Sequence, residues 1–170
     1  MGFERRSRRP PRDPFNACLS FGYVLLGSRV ESALRRAGLD PALGALHAPD
    51  DRRPSLALDV LEPFRPLIDR LVLRLVNRRQ LQPADFVHPD IDPADATDPR
   101  GGPEVGPATH LGPNGRAVFL RAYGALLRTR FDHPDQDARH TLLDLLDAHA
   151  HALVRRLEGT DDTYTPFVLR

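Results

Sequence analysis

The sequence contains no lysine: all 24 basic residues among its 170 are arginine. A guanidinium is a planar, bidentate fork that suits phosphate, so the bias fits a phosphate-binding protein. It fits equally the arginine-, alanine- and proline-rich usage of a GC-rich genome. The formal net charge of +1 does not by itself point to nucleic acid; where the charges lie is more informative. No run of about twenty apolar residues occurs, which excludes a membrane-spanning helix. The opening residues MGFERRSRRPPRDP lack the apolar core of a secretory signal, so a cytoplasmic location is expected. The single cysteine, Cys18, excludes an internal disulfide and any cysteine-based zinc site. Its apolar neighbours mark it as a packing residue.

The segments that are present read as helices. A length of 170 residues suffices for one domain with a core, and the expectation is a single helical domain over residues 1–170. Its first dozen residues form a basic segment, with Arg5, Arg6, Arg8, Arg9 and Arg12 set against Glu4. Asp13 is a plausible N-cap, Pro14 suits the first helical position, and Gly38 offers the stop. Between them Leu19, Tyr23, Leu26, Val30, Ala33 and Leu34 recur at helical spacing. Asp40 heads a short turn. Ser55 is expected to cap a helix running through Leu58 and Leu61 and, beyond two prolines, through Leu67, Leu71 and Leu75 to about Arg79. Residues 88–112 are rich in Pro, Gly and Asp and predict a flexible loop. Pro113 restarts a helix, and a last helix is expected over roughly 138–157, ended by Gly159. No internal repeat and no alternating strand pattern is evident, so the predicted fold class is all-α.

One stretch, HAPDDRRPSLALDVLEPFRP, carries a candidate chemical site. Asp59 and Glu62 are three residues apart and share a helix face. His47, arriving from a preceding loop, can reach the same spot. An imidazole with carboxylates is a ligand set for Mg²⁺ or Mn²⁺. Pro63 and Pro66 cannot donate to the carbonyls four residues back, so a kink is expected there, making room for substrate. Arg65 follows Glu62 by one turn; Arg70, Arg74 and Arg78 form a basic stripe at spacing four. The alternative is that Asp59 and Glu62 face solvent, or that Glu62 pairs with Arg65. A rival set, His140, Asp144, Asp147 and His151, lies opposite the leucine stripe of the last helix and reads as its solvent face. Ser55, His47 and Asp59 do not make a hydrolase triad, because no nucleophile-elbow glycines flank Ser55.

The runs RPPRDPFNACLSFGYVLL, GLDPALGALH, RPSLALDVLEPFRPLIDRLVLRLVNRRQLQPADF and GRAVFLRAYGALLRTRF, with the tail PFVLR, resemble the CRISPR adaptation integrase family, a metal-dependent nuclease. The resemblance covers nearly the whole chain. It implies the C-terminal helical catalytic domain of such an integrase, which in the family follows an N-terminal β-rich dimerisation domain. It also implies a small ferredoxin-like partner subunit, a homodimer in the complete protein, double-stranded DNA as substrate, and Mg²⁺ or Mn²⁺ as cofactor. The activity implied is the joining of short foreign DNA fragments to a repeat array. By the resemblance the family's metal-binding histidine falls on His47 and its last acid on Glu62, with Asp59 as an accessory acid. Asn16, Ser20 and Tyr23 match polar positions near the family's site, and Asn16, Tyr23, Arg65, Arg70 and Arg74 are the expected DNA contacts. Helix packing with satisfied polar groups is an equal reading of Asn16, Ser20 and Tyr23. The family's first metal-binding glutamate is expected upstream of residue 1, so the chain alone is expected to be inactive. The competing class is a truncated remnant or a helical DNA-binding module without turnover.

Overall fold

Helix α1 (Pro14–Arg36) starts and stops on local signals. The Asp13 carboxylate accepts the Asn16 N–H at 2.9 Å, and its carbonyl accepts that of Ala17 at 3.0 Å. Gly38, at φ +82°, turns the chain out of the helix while the Leu39 N–H returns to the Leu34 carbonyl at 2.9 Å. Asp40 then organises a turn, its carboxylate accepting the Ala42 N–H at 3.0 Å.

The structure, a computed structural model, describes residues 6, 10–43, 54–88, 108–133, 136–161 and 167, apart from the side chains of 133 and 136–138. His47, residues 89–107 of the expected loop and most of the arginine-rich first dozen lie outside the described residues.

Helix α2 (Ser55–Leu61) corrects one expectation. Pro54, not Ser55, stands at the cap position, no side chain caps the helix, and Ser55 is buried inside its first turn. The Leu56 and Ala57 N–H groups instead donate to the carbonyl of Pro41, at 2.9 and 3.3 Å. A cap supplied from a distant turn leaves no signature in the local sequence. The prolines act as anticipated on the hydrogen-bond ladder. Residues Glu62–Phe64 form a 3₁₀ turn in which the Arg65 N–H bonds the Glu62 carbonyl, and α3 (Arg65–Asn77) follows. Arg79, at φ +54°, ends it as the Gln80 N–H bonds the Leu75 carbonyl at 2.9 Å.

Two small antiparallel sheets depart from the strand-free expectation within a fold that remains mainly helical. Strands β1 (Phe86–Val87) and β2 (His110–Leu111) pair Phe86 with Leu111 and Val87 with His110. This pairing ties off the described ends of the stretch read as a loop. Two-residue strands are too short for a period-two pattern to register. Helix α4 (Pro113–Arg128) follows, then β3 (Arg130–His133), β4 (Gln136–Thr141) and α5 (Leu142–Leu157). The last helix therefore begins at 142, not 138. Thr141 and Asp144 form a capping box at its start, and Arg139 pairs with Asp132 at 3.3 Å across the two strands.

The chain divides into two compact units, residues 1–22 with 69–123, and residues 23–68 with 124–170. In the first, Leu71, Val72, Leu75, Phe86, Leu111 and Phe119 are buried, and Phe21 meets Phe119 edge-on at 5.2 Å. The Thr109 N–H donates to the Pro11 carbonyl at 2.8 Å, anchoring the arm before α1. In the second, Leu26, Val30, Leu34, Val60, Phe64, Ile68, Leu142, Leu145 and Leu146 are buried. Among the described residues, no helix is long and apolar enough to cross a membrane.

Candidate metal and phosphate site

The turn between α2 and α3 gathers three of the residues singled out from the sequence, all within the second unit. Glu62 opens the turn with its side chain about half exposed (49 %), and Arg65, 20 % exposed, closes it. Their charged ends meet at 3.0 Å. The Arg65 guanidinium also lies over the Tyr23 ring, 5.1 Å from its centroid. Arg65 is thus held between a carboxylate and an aromatic face. Its Nε–H is buried and has no hydrogen-bond acceptor among the described residues. A buried donor without an acceptor costs about 1–3 kcal/mol, which a group able to accept from it recovers.

The energetics make this cluster adjustable. An ion pair three residues apart on a helix is worth about 0.3–0.5 kcal/mol in solvent, and an exposed cation–π contact about 0.5–1 kcal/mol. Neither contact would hold Glu62 against a divalent cation. Asp59 sits one turn earlier on α2, partly buried. In donor chemistry the two carboxylates suit a hard cation such as Mg²⁺ or Mn²⁺. Among the described residues, no three His, Cys, Asp or Glu side chains converge as a metal-binding group. His47, the third candidate ligand, lies outside them.

Asn16 and Ser20 occur in the first unit and meet the side chain of Arg6, which donates to Asn16 Oδ1 at 2.6 Å and to Ser20 Oγ at 3.4 Å. Asn16 is fully buried, and its Nδ2 donates to Asp13 Oδ2 at 2.5 Å. The face shared by residues 16 and 20 therefore forms as the spacing predicts, occupied by an arginine of the chain's own basic segment. Arg70, Arg74 and Arg78 are all exposed, Arg70 and Arg74 along α3 and Arg78 just beyond its end, while Leu71, Val72 and Leu75 are buried.

The rival cluster dissolves into local roles. His140 belongs to β4 rather than α5. The Asp144 carboxylate accepts from the Thr141 hydroxyl at 2.6 Å and from the Thr141 N–H at 3.0 Å. Those hydrogen bonds, the hydroxyl's foremost, hold its pKa below the usual carboxylate value. Asp147 pairs with Arg36 at 2.5 Å. Cys18 is buried, and burial, with the nearby Asp13 charge, pushes its thiol up to about 12.

Residues that the sequence reading passed over lie beneath the turn. Phe64 stacks on Phe167 at 4.8 Å and meets the His149 ring edge-on at 5.2 Å. His149 had a signal available: its spacing from Leu145, Leu146 and Leu153 puts it on the leucine face of α5.

The sequence profile of the family described as CRISPR associated protein Cas1 matches residues 1–92. A CRISPR-associated endonuclease Cas1 of Thermus thermophilus is 42% identical over 171 residues, covering 100% of this chain and 47% of that protein. The chain thus spans about half the length of this relative. Among solved structures, a CAS1 protein from Thermotoga maritima matches with a TM-score of 0.74 and 31% identity, over 95% of this chain and 45% of that one. A chain of a structure titled as a partial Cas6-RT-Cas1–Cas2 complex matches with a TM-score of 0.75 and 25% identity, over 99% of this chain and 45% of that one.

Proposed function

The chain belongs to the Cas1 family of CRISPR-associated proteins, and from that premise we propose that it is the helical metal- and DNA-binding portion of a CRISPR adaptation integrase. The observation that carries this reading is Arg65, set between Glu62 and Tyr23 with one buried donor unmet. Glu62, Asp59 and His47 are the residues that would hold a divalent cation. When bound, that cation supplies charge to a phosphoryl oxygen and acidifies an attacking hydroxyl.

The chain's own groups do the remaining work. Glu62 presents a half-exposed carboxylate whose only described ion pair is weak. Taking that carboxylate for metal frees the Arg65 fork for a phosphate, which guanidinium binds bidentately. Tyr23 supplies a flat face that keeps Arg65 from swinging into solvent. Arg70 and Arg74 neutralise duplex phosphates without reading sequence. Asn16, buried as it is, would act on DNA through the Arg6 that it holds.

The substrate class is double-stranded DNA, joined as short fragments to a repeat array. The partner is a small ferredoxin-like subunit, and the complete protein a homodimer; the Cas1–Cas2 composition of one matching complex supports a partner of this kind. For the 170 residues taken alone we expect binding without turnover, since the resemblance places the family's first metal-binding glutamate on a helix they do not include. The test incubates the purified chain with branched DNA and Mn²⁺. The expected result is a retarded, uncut DNA. Cleavage lost in both His47→Ala and Glu62→Ala would show that the ligands present suffice, and would overturn the expectation of inactivity. Absence of any DNA binding would overturn the functional reading.

A further inference from the structure

We propose that Phe167 and His149 are positioning residues for the Glu62–Arg65 turn, so that the third-last residue of the 170 sets the aim of the site. The inference rests on the reading of Glu62 as a metal ligand and Arg65 as a phosphate contact. The turn itself is weakly determined by its own backbone, because Pro63 and Pro66 remove two donors from the helical ladder. What fixes it is the side chain at its centre. Phe64 is completely buried, and its backbone lies between Glu62 and Arg65. Any rotation of the Phe64 ring out of its slot carries both functional side chains with it.

That slot is built from the far end of the sequence. The Phe167 ring stacks on Phe64 almost parallel, at 4.8 Å and 6°. Phe131 closes the other side of Phe167 at 6.1 Å and 89°. The His149 ring abuts Phe64 at 5.2 Å and 79°. The same imidazole accepts the Phe167 backbone N–H on Nε2 at 3.2 Å. Phe167 is therefore gripped through both its ring and its backbone, and His149 touches both aromatic partners. An aromatic stack that also satisfies a buried backbone donor has one preferred geometry. Simple burial of a phenylalanine would not require the histidine.

The test uses the full chain, isotopically labelled, with Phe167→Ala, Phe167→Tyr, His149→Leu and His149→Gln. The first readout is the Arg65 side-chain resonance, displaced by the Tyr23 ring over which it lies. In Phe167→Ala it should move to the position of a free arginine, and Phe167→Tyr should restore it. His149→Leu should move it partway, and His149→Gln, whose amide oxygen can accept the Phe167 N–H, should bring it back. The second readout is amide exchange, which should quicken about tenfold at residues 64–68 in Phe167→Ala while α5 stays within twofold of the parent. A merely structural role would speed exchange throughout the unit and leave no rescue by glutamine. An Arg65 resonance unmoved in Phe167→Ala, or uniform quickening, would overturn the proposal. Should Phe167→Ala fail to fold, the His149→Leu and His149→Gln pair decides it alone. Mn²⁺ titration separates the two readings. Loss of the Arg65 signature in Phe167→Ala, with no Mn²⁺ broadening near residues 59–65 in the parent, upholds the positioning role and refutes the metal site. Equal broadening in parent and Phe167→Ala, with the signature intact, refutes the positioning role alone.

Discussion

Replacing Arg70 and Arg74 together by glutamine should flatten the salt dependence of DNA binding. Both side chains are exposed on α3. Four helical residues advance about 6 Å along the axis, so the two charges lie within one Debye length of each other at roughly 0.1 M salt. Each phosphate neutralised on duplex DNA contributes about 0.9 to the slope of log affinity against log salt. Two contacts therefore account for a slope of about 1.8. Between about 50 and 200 mM salt that difference amounts to roughly a twelvefold change in the ratio of parent to variant affinity. The assay is fluorescence anisotropy of a labelled duplex at four salt concentrations, with two unrelated duplexes to establish sequence independence. The control removes the same formal charge at Arg35 and Arg36, which already pair with Glu31 and Asp147. An unchanged slope in the Arg70/Arg74 variant would refute the assignment of the stripe to phosphates. Equal flattening in both pairs would show that net charge alone governs binding.

Gly115→Ala should lower stability by about 1–3 kcal/mol, although alanine is the better helix former. An added Cβ would lie 2.7 Å from the Asp85 carbonyl oxygen and 2.8 Å from Leu111. Gly124→Ala on the same helix, with only the Arg128 side chain at 3.8 Å, should instead stabilise by up to about 1 kcal/mol; thermal melts of the two variants should shift in opposite directions. Asp144→Asn should cost about 0.5 kcal/mol near neutral pH, a low value for a cap because its carboxylate is well solvated. The folded pKa of Asp144 is depressed from 3.8, so its contribution is complete above that value and disappears as pH falls through the folded pKa. The gap between the parent and Asp144→Asn denaturation midpoints should be constant from neutral down to about pH 5 and close below about pH 4; a gap that widens in acid would contradict the capping role. Cys18, pushed up to about 12 and buried, should resist thiol reagents at pH 8 in the folded chain and react only after denaturant is added.

The amino-acid sequence determined whatever depends on neighbours a few residues apart. The start of α1 at Asp13 and Pro14 and its stop at Gly38 follow from hydrogen bonds within one or two turns. The break between α2 and α3 follows from two prolines that cannot donate. The pairing of Glu62 with Arg65, kept open as an alternative, follows from a spacing of three. The family, too, was legible, because runs of residues rather than single positions carry it.

Tertiary structure decided everything that joins distant parts of the chain. The Pro41 carbonyl caps α2 in place of Ser55. Arg6 occupies the Asn16–Ser20 face, and Thr109 takes hold of Pro11. Strands β1 and β2 are too short to have a period and exist only as a pair. Tyr23 meets Arg65, and Phe167 meets Phe64 and His149. A contact across a hundred residues leaves no periodic trace in sequence, since its geometry depends on how several elements pack before the two ends can meet.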